Sequence, residues 1–211
     1  MFEKTDKNFY AFKKHLNPSK DTIYKLKKFI HILDDYQDNM NLIGKSTRAS
    51  IWERHILDSA QIEKYLHKEN SKYSTIDVGT GAGFPGIVLA TLGRKDLLLC
   101  EKSKKKRLFL NVIAKECNLN IKIFEDKVEN LEIYNAKTII SRAFAPLKDL
   151  LVKVKHFIYS DTSLIIHKGK TYMQEIKEAK KFFSFNYKCY DSLTNPYAKI
   201  LQIQSVRKKS E

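Results

Sequence analysis

Acidic residues are scarce beside basic ones in this chain of 211 residues. There are 24 Asp and Glu against 39 Lys and Arg, a formal charge of +15 at pH 7. A surface of that sign repels cationic partners and attracts polyanions, of which nucleic acid is the commonest in a cytoplasm. Only six of the basic residues are arginines and the rest are lysines, so a Lys-, Asn- and Ile-rich usage from an AT-rich genome accounts for the excess as well. Cysteine is sparse too. The three present, Cys100, Cys117 and Cys189, are odd in number and lack metal or redox spacing, which argues against a disulfide framework and a zinc site. No metal is expected. Long apolar runs are missing: Ile87 to Leu92 and Leu97 to Cys100 fall far short of the roughly 18 to 20 residues that cross a bilayer. The first residues, Met1 to Asp6, carry charge where a signal peptide needs an apolar stretch, so a cytoplasmic location without membrane contact is expected. Internal repeats, low-complexity tracts and linkers are also lacking.

What is present is a change of pattern near residue 74. Before it, Ile23, Leu26, Ile30 and Leu33 recur at helical spacing behind the potential caps Ser19 and Asp21, which predicts an amphipathic helix over about 20–37. A second helix is predicted over about 46–67, and Phe9 and Phe12 complete an all-helical first third. After it come short apolar runs: Thr75–Val78, Leu97–Cys100, Ile121–Phe124, Thr138–Ser141, Leu164–His167, Phe185–Tyr190 and Ile200–Val206. The first five are separated by helical stretches, which implies a parallel, doubly wound sheet. The last two are joined by too short a loop for a crossover and should form an antiparallel hairpin. The expected fold is therefore α/β and Rossmann-like: a mostly parallel seven-stranded sheet, an antiparallel C-terminal hairpin and an N-terminal helical extension. That layout resembles the class I methyltransferases. Residues 1–70 would be the extension and 71–211 the core, working as one structural unit.

Thr75-Ile76-Asp77-Val78-Gly79-Thr80-Gly81-Ala82-Gly83-Phe84-Pro85-Gly86 reads as a strand that turns into a helix through a glycine-rich bend, where a ligand can approach the main chain. Glu101 ends the second strand, where a carboxylate can accept hydrogen bonds from the two hydroxyls of a ribose. Together they read as an adenosine site, with Asp77, Gly79, Gly81, Gly83 and Glu101 as cofactor candidates. The pattern Gly81-x-Gly83-x-x-Gly86 also suits a dinucleotide, so an NAD-linked oxidoreductase is a rival, and a plain glycine turn is a third reading. Asp77 favours S-adenosylmethionine, because a carboxylate beside the loop suits a cationic amino-acid moiety and repels a pyrophosphate. The helical extension and the reversed hairpin point the same way.

Ligands of open α/β sheets bind beyond the carboxyl ends of the strands. Arg142 follows the fourth strand there, and its guanidinium could clamp a cofactor carboxylate, an RNA phosphate or the carbonyl edge of guanine, or else sit in a structural ion pair. After the third strand, Val128 and Glu129 can close over an adenine, or form a solvated turn. Candidate RNA contacts are Lys104, Lys106 and Arg107 in the run from Lys102 to Arg107, Lys168 after the fifth strand, and Arg54 and His55. Each has a plain alternative: a solvated face, a cap on the sheet, an Arg54–Asp58 pair at i,i+4 spacing, or a structural histidine. The position after the fourth strand reads Ser141-Arg142-Ala143-Phe144, not the Asn/Asp-Pro-Pro-Tyr of amino-group methyltransferases. Asn195-Pro196-Tyr197 reads as a turn in the hairpin loop. No Pro-Cys nucleophile occurs, so the target is an atom with a free lone pair.

The motifs Asn41-Leu42, Arg54-His55-Ile56-Leu57-Asp58-Ser59, Ile76 to Ile87, Lys106 to Leu110, Ile140 to Ala145 and Lys168-Gly169, in this order over about residues 40–170, resemble the RsmG/GidB family. The resemblance implies a methyltransferase that uses S-adenosyl-L-methionine to methylate N7 of a guanine in 16S rRNA, free or in the small ribosomal subunit. It implies Gly79, Phe84, Val128, Glu129 and Arg142 as cofactor contacts, with Arg142 also the catalytic candidate. Glu101 departs from the family, which usually has Asp there, and the last forty residues carry no signature. A monomer is expected. The alternatives are the NAD-linked enzyme and a non-catalytic RNA-binding protein that has kept the fold.

Overall fold

The computed structural model describes residues 7–69, 73–132 and 136–209. Its centre is a seven-stranded sheet in the order β3-β2-β1-β4-β5-β7-β6. The strands are β1 (Thr75–Val78), β2 (Leu97–Cys100), β3 (Lys122–Phe124), β4 (Thr138–Arg142), β5 (Ser163–Lys168), β6 (Phe183–Asp191) and β7 (Lys199–Lys208). The strands β1 to β5 pair in parallel, whereas β7 runs antiparallel to both β5 and β6. Each observed strand end lies within two residues of the sequence reading. For β1, β2, β4 and β5 the reason is that a strand covered on both faces needs apolar side chains in both directions and so reads as a short unbroken run. β2 is wholly buried.

Alternate residues divide the core into two layers. Ile140, Ile165 and Ile200 point to a cluster containing the N-terminal helices, α5 (Gly86–Thr91) and α6 (Lys104–Glu116). Ile139, Leu164, Ile166 and Leu201 point to the opposite cluster with α7 (Leu147–Val154) and α8 (Tyr172–Ala179). This is the period of two expected of strands.

Two long N-terminal helices, α1 (Lys7–Leu16) and α2 (Lys20–Met40), share the first of these cores. Ser19 caps α2 by accepting the Thr22 N–H at 3.0 Å. Phe29 of α2 lies 5.3 Å from Phe84 of the glycine loop and 6.4 Å from Phe109 of α6, ring centre to ring centre. The helix ends at Asn41, in the left-handed conformation at φ 47°.

The second N-terminal helix expected from the sequence is broken into pieces. These are α3 (Lys45–Arg48), a π-helical turn over Trp52–Leu57, α4 (Asp58–Ala60) and a 3₁₀ turn over Glu63–Tyr65. Side chains on several sides of this segment are drawn inward at once. Trp52 packs on Phe9 and Phe12, at 4.7 and 5.3 Å, and His55 packs on Phe84 at 4.9 Å. A regular α-helix presents one stripe, and the extra residue of a π turn shifts the register so that a second face can be buried.

Candidate active site

A cavity of about 750 Å³ opens at the carboxyl ends of β1, β2 and β4, where β2 and β4 leave β1 in opposite directions. The glycine loop forms its floor. Gly79 and Gly81 hold φ of +70° and +60°. A Cβ on Gly79 would stand 2.1 Å from the Phe144 ring, so the ring can close over the loop only because this residue has no side chain. The loop is fixed from behind by Asp77, fully buried, whose Oδ2 accepts the Gly86 N–H at 2.8 Å. Burial pushes the Asp77 carboxyl up to about 7, against the lowering effect of the nearby Thr80 hydroxyl and the Gly86 N–H. Neither Asp77 nor Gly83 lines the cavity, and the absent Cβ of Gly83 makes room for Ile87.

Glu101 stands beside the loop. Its Oε2 accepts the Gly81 N–H at 3.1 Å and its Oε1 accepts the Ser103 N–H at 2.8 Å. These bonds orient a buried carboxylate whose oxygens each keep lone-pair capacity toward the cavity. Val128, buried, and Glu129 form the adjoining side. Lys153 ion-pairs with Glu129 and holds its carboxyl below the usual range. The far side is the segment Leu42, Ile43 and Gly44. Its shape is set by buried Gln37, which bonds both the N–H and the carbonyl of Ile43, at 2.9 and 2.8 Å.

Arg142 closes the cavity beside Phe84 and Phe144. Its Nη1 donates to Asp58 Oδ2 at 3.1 Å and to the Arg54 carbonyl at 3.0 Å, and its Nη2 donates to His55 Nδ1 at 2.8 Å. The guanidinium also lies 4.9 Å above the Phe84 ring. Because Nδ1 of His55 accepts from an arginine, Nε2 must carry the imidazole proton and donate to Thr47 Oγ1, 2.8 Å away. Burial, with the Arg142 charge beside it, lowers His55 to about 3, so the ring is neutral at physiological pH. Asp58 is in turn held by Thr194 Oγ1 at 2.7 Å and Gln61 Nε2 at 2.8 Å. Burial raises its carboxyl, but His167, Arg142 and the Thr194 hydroxyl outweigh that and leave it below its ordinary value.

Several expected contacts are corrected by this geometry. Arg54 and Asp58 do not pair: Asp58 turns inward to Arg142, and Arg54 Nη1 reaches the Thr194 carbonyl at 3.5 Å. Lys168 is not a surface cation for RNA. It is buried in an ion pair with Glu175 at 2.6 Å and donates to the Ala145 carbonyl at 2.7 Å, so it shapes the loop after β4. Arg107 is likewise engaged, on the carbonyls of Glu101 and Lys102 at 3.2 and 2.7 Å, where it clamps the end of β2. His55 is buried within the network rather than offered to a polymer. Of the lysine run, Lys104 is exposed, and Lys106 reaches the cavity rim together with Lys102.

The reading also missed residues. Ala143, at φ 53° on the cavity wall, is a strained non-glycine residue that no sequence signal marks. Thr194, Gln61 and His167 join the Asp58 network from three separate segments. Phe144 was visible only as part of the segment after β4.

A parallel sheet finished by an antiparallel last strand, with a glycine loop and an acid at the ends of β1 and β2, defines a class I methyltransferase fold. Solved structures share it. A ribosomal protein L11 methylase of Lactobacillus delbrueckii subsp. bulgaricus superposes with a TM-score of 0.54 at 19% identity, covering 73% of this chain and 77% of its own. A glycopeptide N-methyltransferase complexed with S-adenosyl-L-methionine gives 0.57 at 7% identity, covering 71% and 94%. Residues 22–203 match GidB, rRNA small subunit methyltransferase G, and the chain belongs to that family. Ribosomal RNA small subunit methyltransferase G of Orientia tsutsugamushi (strain Ikeda) is 36% identical over 188 residues, 89% of this chain and 93% of its own.

Proposed function

We propose that this protein transfers a methyl group from S-adenosyl-L-methionine to N7 of a guanine in 16S rRNA. The observation that carries the reading is that the cavity pairs an adenosine-type site with the anchored Arg142, while among the described residues each lining carboxylate, Glu101, Asp126 and Glu129, already has a hydrogen-bond or ion-pair partner. His55 is neutral and both its ring nitrogens are engaged. Glu101 is bonded to two backbone N–H groups and Glu129 to Lys153. Guanine N7 has a lone pair without a proton to remove, so alignment alone can drive its alkylation. An exocyclic amine or a hydroxyl would need a base to take its proton, and the lining carboxylates are already engaged in holding the cavity wall.

The residues present fit the cofactor. A Cβ on Gly81 would meet only the Gly79 carbonyl, at 3.9 Å, and Glu101 beside this residue suits the two ribose hydroxyls. Val128 offers an apolar surface for adenine. The cofactor, when bound, supplies a methyl group made electrophilic by its sulfonium. Arg142, with its Nη1 and Nη2 anchored on Asp58 and His55, presents a fixed cation at the cavity wall, suited to an anionic or carbonyl oxygen of cofactor or substrate. Lys102, Lys104 and Lys106 at the start of α6 offer positive charge to the RNA backbone at the rim. No helix of the described residues is long and apolar enough to cross a membrane. In this reading the chain acts in the cytoplasm as a monomer, its extension and core working as one unit.

The test is transfer of labelled methyl from S-adenosyl-L-methionine to small ribosomal subunits and to free 16S rRNA from cells lacking this gene, followed by nucleoside analysis. Label in 7-methylguanosine is expected. Label in another nucleoside, or none on either substrate, would overturn the proposal.

A further inference from the structure

The loop between β6 and β7, residues 192–198, lies on the same sheet edge as the cavity. β7 runs antiparallel to β5, and its first residue, Lys199, pairs with Lys168, the last residue of β5. The loop is held rigidly. The Leu193 N–H donates to Gln61 Oε1 at 2.8 Å and Thr194 Oγ1 to Asp58 Oδ1 at 2.7 Å. Asn195 closes the turn by accepting the Tyr197 N–H on its side chain at 2.9 Å and the Ala198 N–H on its carbonyl at 3.0 Å.

On this fixed turn the Tyr197 side chain stands almost free of the protein. The residue is 73% exposed, the highest value of any large hydrophobic side chain among the described residues, and Leu193 beside it is 49% exposed. A ring in water contributes nothing to folding, yet the turn beneath it is tied down on both sides. Arg54 touches the same loop through the Thr194 carbonyl at 3.5 Å and forms no ion pair among the described residues. A guanidinium without an ion pair, held on the same turn three residues before an exposed aromatic ring, at the substrate edge of a chain of charge +15, is the combination that captures single-stranded RNA. The cation takes a phosphate and the ring stacks on a base.

We propose that the β6–β7 turn is an RNA-docking platform, with Tyr197 stacking on an unpaired base of the strand that carries the target guanine and Arg54 holding a neighbouring phosphate. It rests on the reading of RNA as substrate and adds a recognition element outside the cavity. The platform and the cavity share a support, since Thr194 bonds the same Asp58 that anchors Arg142.

The test is binding of a fluorescein-labelled single-stranded RNA dodecamer, followed by anisotropy as a function of salt, together with methyl transfer to small subunits. Tyr197→Ala is expected to weaken dodecamer binding about tenfold, and Tyr197→Trp to restore it. Arg54→Ala should lower the slope of log affinity against log salt by about one, while Tyr197→Ala leaves the slope unchanged. Affinity for S-adenosyl-L-methionine should stay that of the natural protein in Tyr197→Ala. Unaltered RNA affinity in Tyr197→Ala overturns the proposal, and if that variant then fails on whole subunits alone, the ring contacts a ribosomal protein instead. Because RNA binding is read without turnover, failure of the natural protein to methylate would strike the reaction and leave this test standing.

Discussion

Asp58 and Arg142, 84 positions apart in the sequence, meet at 3.1 Å beside the cavity. The arginine belongs to the end of β4 and the aspartate to the broken helical segment of the N-terminal region. The position of the one guanidinium lining the cavity is thus set by residues outside the sheet. Thr194 and Gln61 hold the other carboxylate oxygen, so the C-terminal hairpin loop enters the same arrangement. The helical extension is therefore part of the site's construction.

Asp58→Ala should destabilise the fold, because it leaves the largely enclosed Arg142 guanidinium, 16% exposed, without its counter-charge. Removal of one partner of a fully buried pair costs about 3–5 kcal/mol, an upper bound for this partly exposed one. Urea unfolding would measure this. A loss within the scatter of ordinary surface substitutions would show that the pair contributes little.

Glu101→Gln tests the carboxylate beside the loop. A glutamine fills the same volume but has one acceptor oxygen, so it can satisfy only one of the Gly81 and Ser103 N–H groups and offers a ribose fewer acceptors. Affinity for S-adenosyl-L-methionine, measured by calorimetry, is expected to fall about tenfold or more, the effect of roughly 1.4 kcal/mol. Full affinity would remove Glu101 from the cofactor site.

Asp77 gives the stability a pH signature. Its carboxyl is raised from 3.8 to about 7 by burial, so the folded chain binds its proton more tightly than the unfolded one. That contribution is complete below about pH 4 and is lost as pH rises through 7. Asp77→Asn keeps an oxygen for the Gly86 N–H and cannot ionise. Its stability relative to the natural protein should therefore rise between pH 4 and 8, by on the order of a few kcal/mol. Thermal unfolding across that range checks the sign, and a constant difference would place the natural Asp77 titration at its ordinary pH.

What was legible in the sequence, and what was not, divides along a physical line. Leu97 to Cys100 and Thr75 to Val78 could be read because fully covered strands carry their burial in local composition. Gly79 could be read because its conformation excludes most other residues. The partner of a charged side chain is a different matter. Lys168 and Arg107 read as cations for RNA, but Glu175 and the carbonyls of Glu101 and Lys102 meet them first. Helical spacing likewise suggested an Arg54–Asp58 pair, which assumes regular turns, and the π turn at Trp52–Leu57 removes that premise. Such pairings arise from tertiary contacts that leave no mark on the neighbouring sequence.

The two roles of Arg142 can be separated by a double substitution. Arg142→Gln alone leaves Asp58 as a half-buried carboxylate without its cation, so losses of stability and turnover would be confounded. Pairing it with Asp58→Asn replaces the ions by two amides able to bond each other, which removes the uncompensated charge. Residues in direct contact are coupled, so the double variant should recover much of the stability that Arg142→Gln loses. Turnover should not recover with it, because no amide supplies the fixed positive charge at the cavity wall. Unfolding curves and single-turnover methyl transfer on the natural protein, both single variants and the double variant give the answer. Activity that returned together with stability would make Arg142 a structural anchor, and the alignment of guanine N7 would then have to be assigned to the loop after β4.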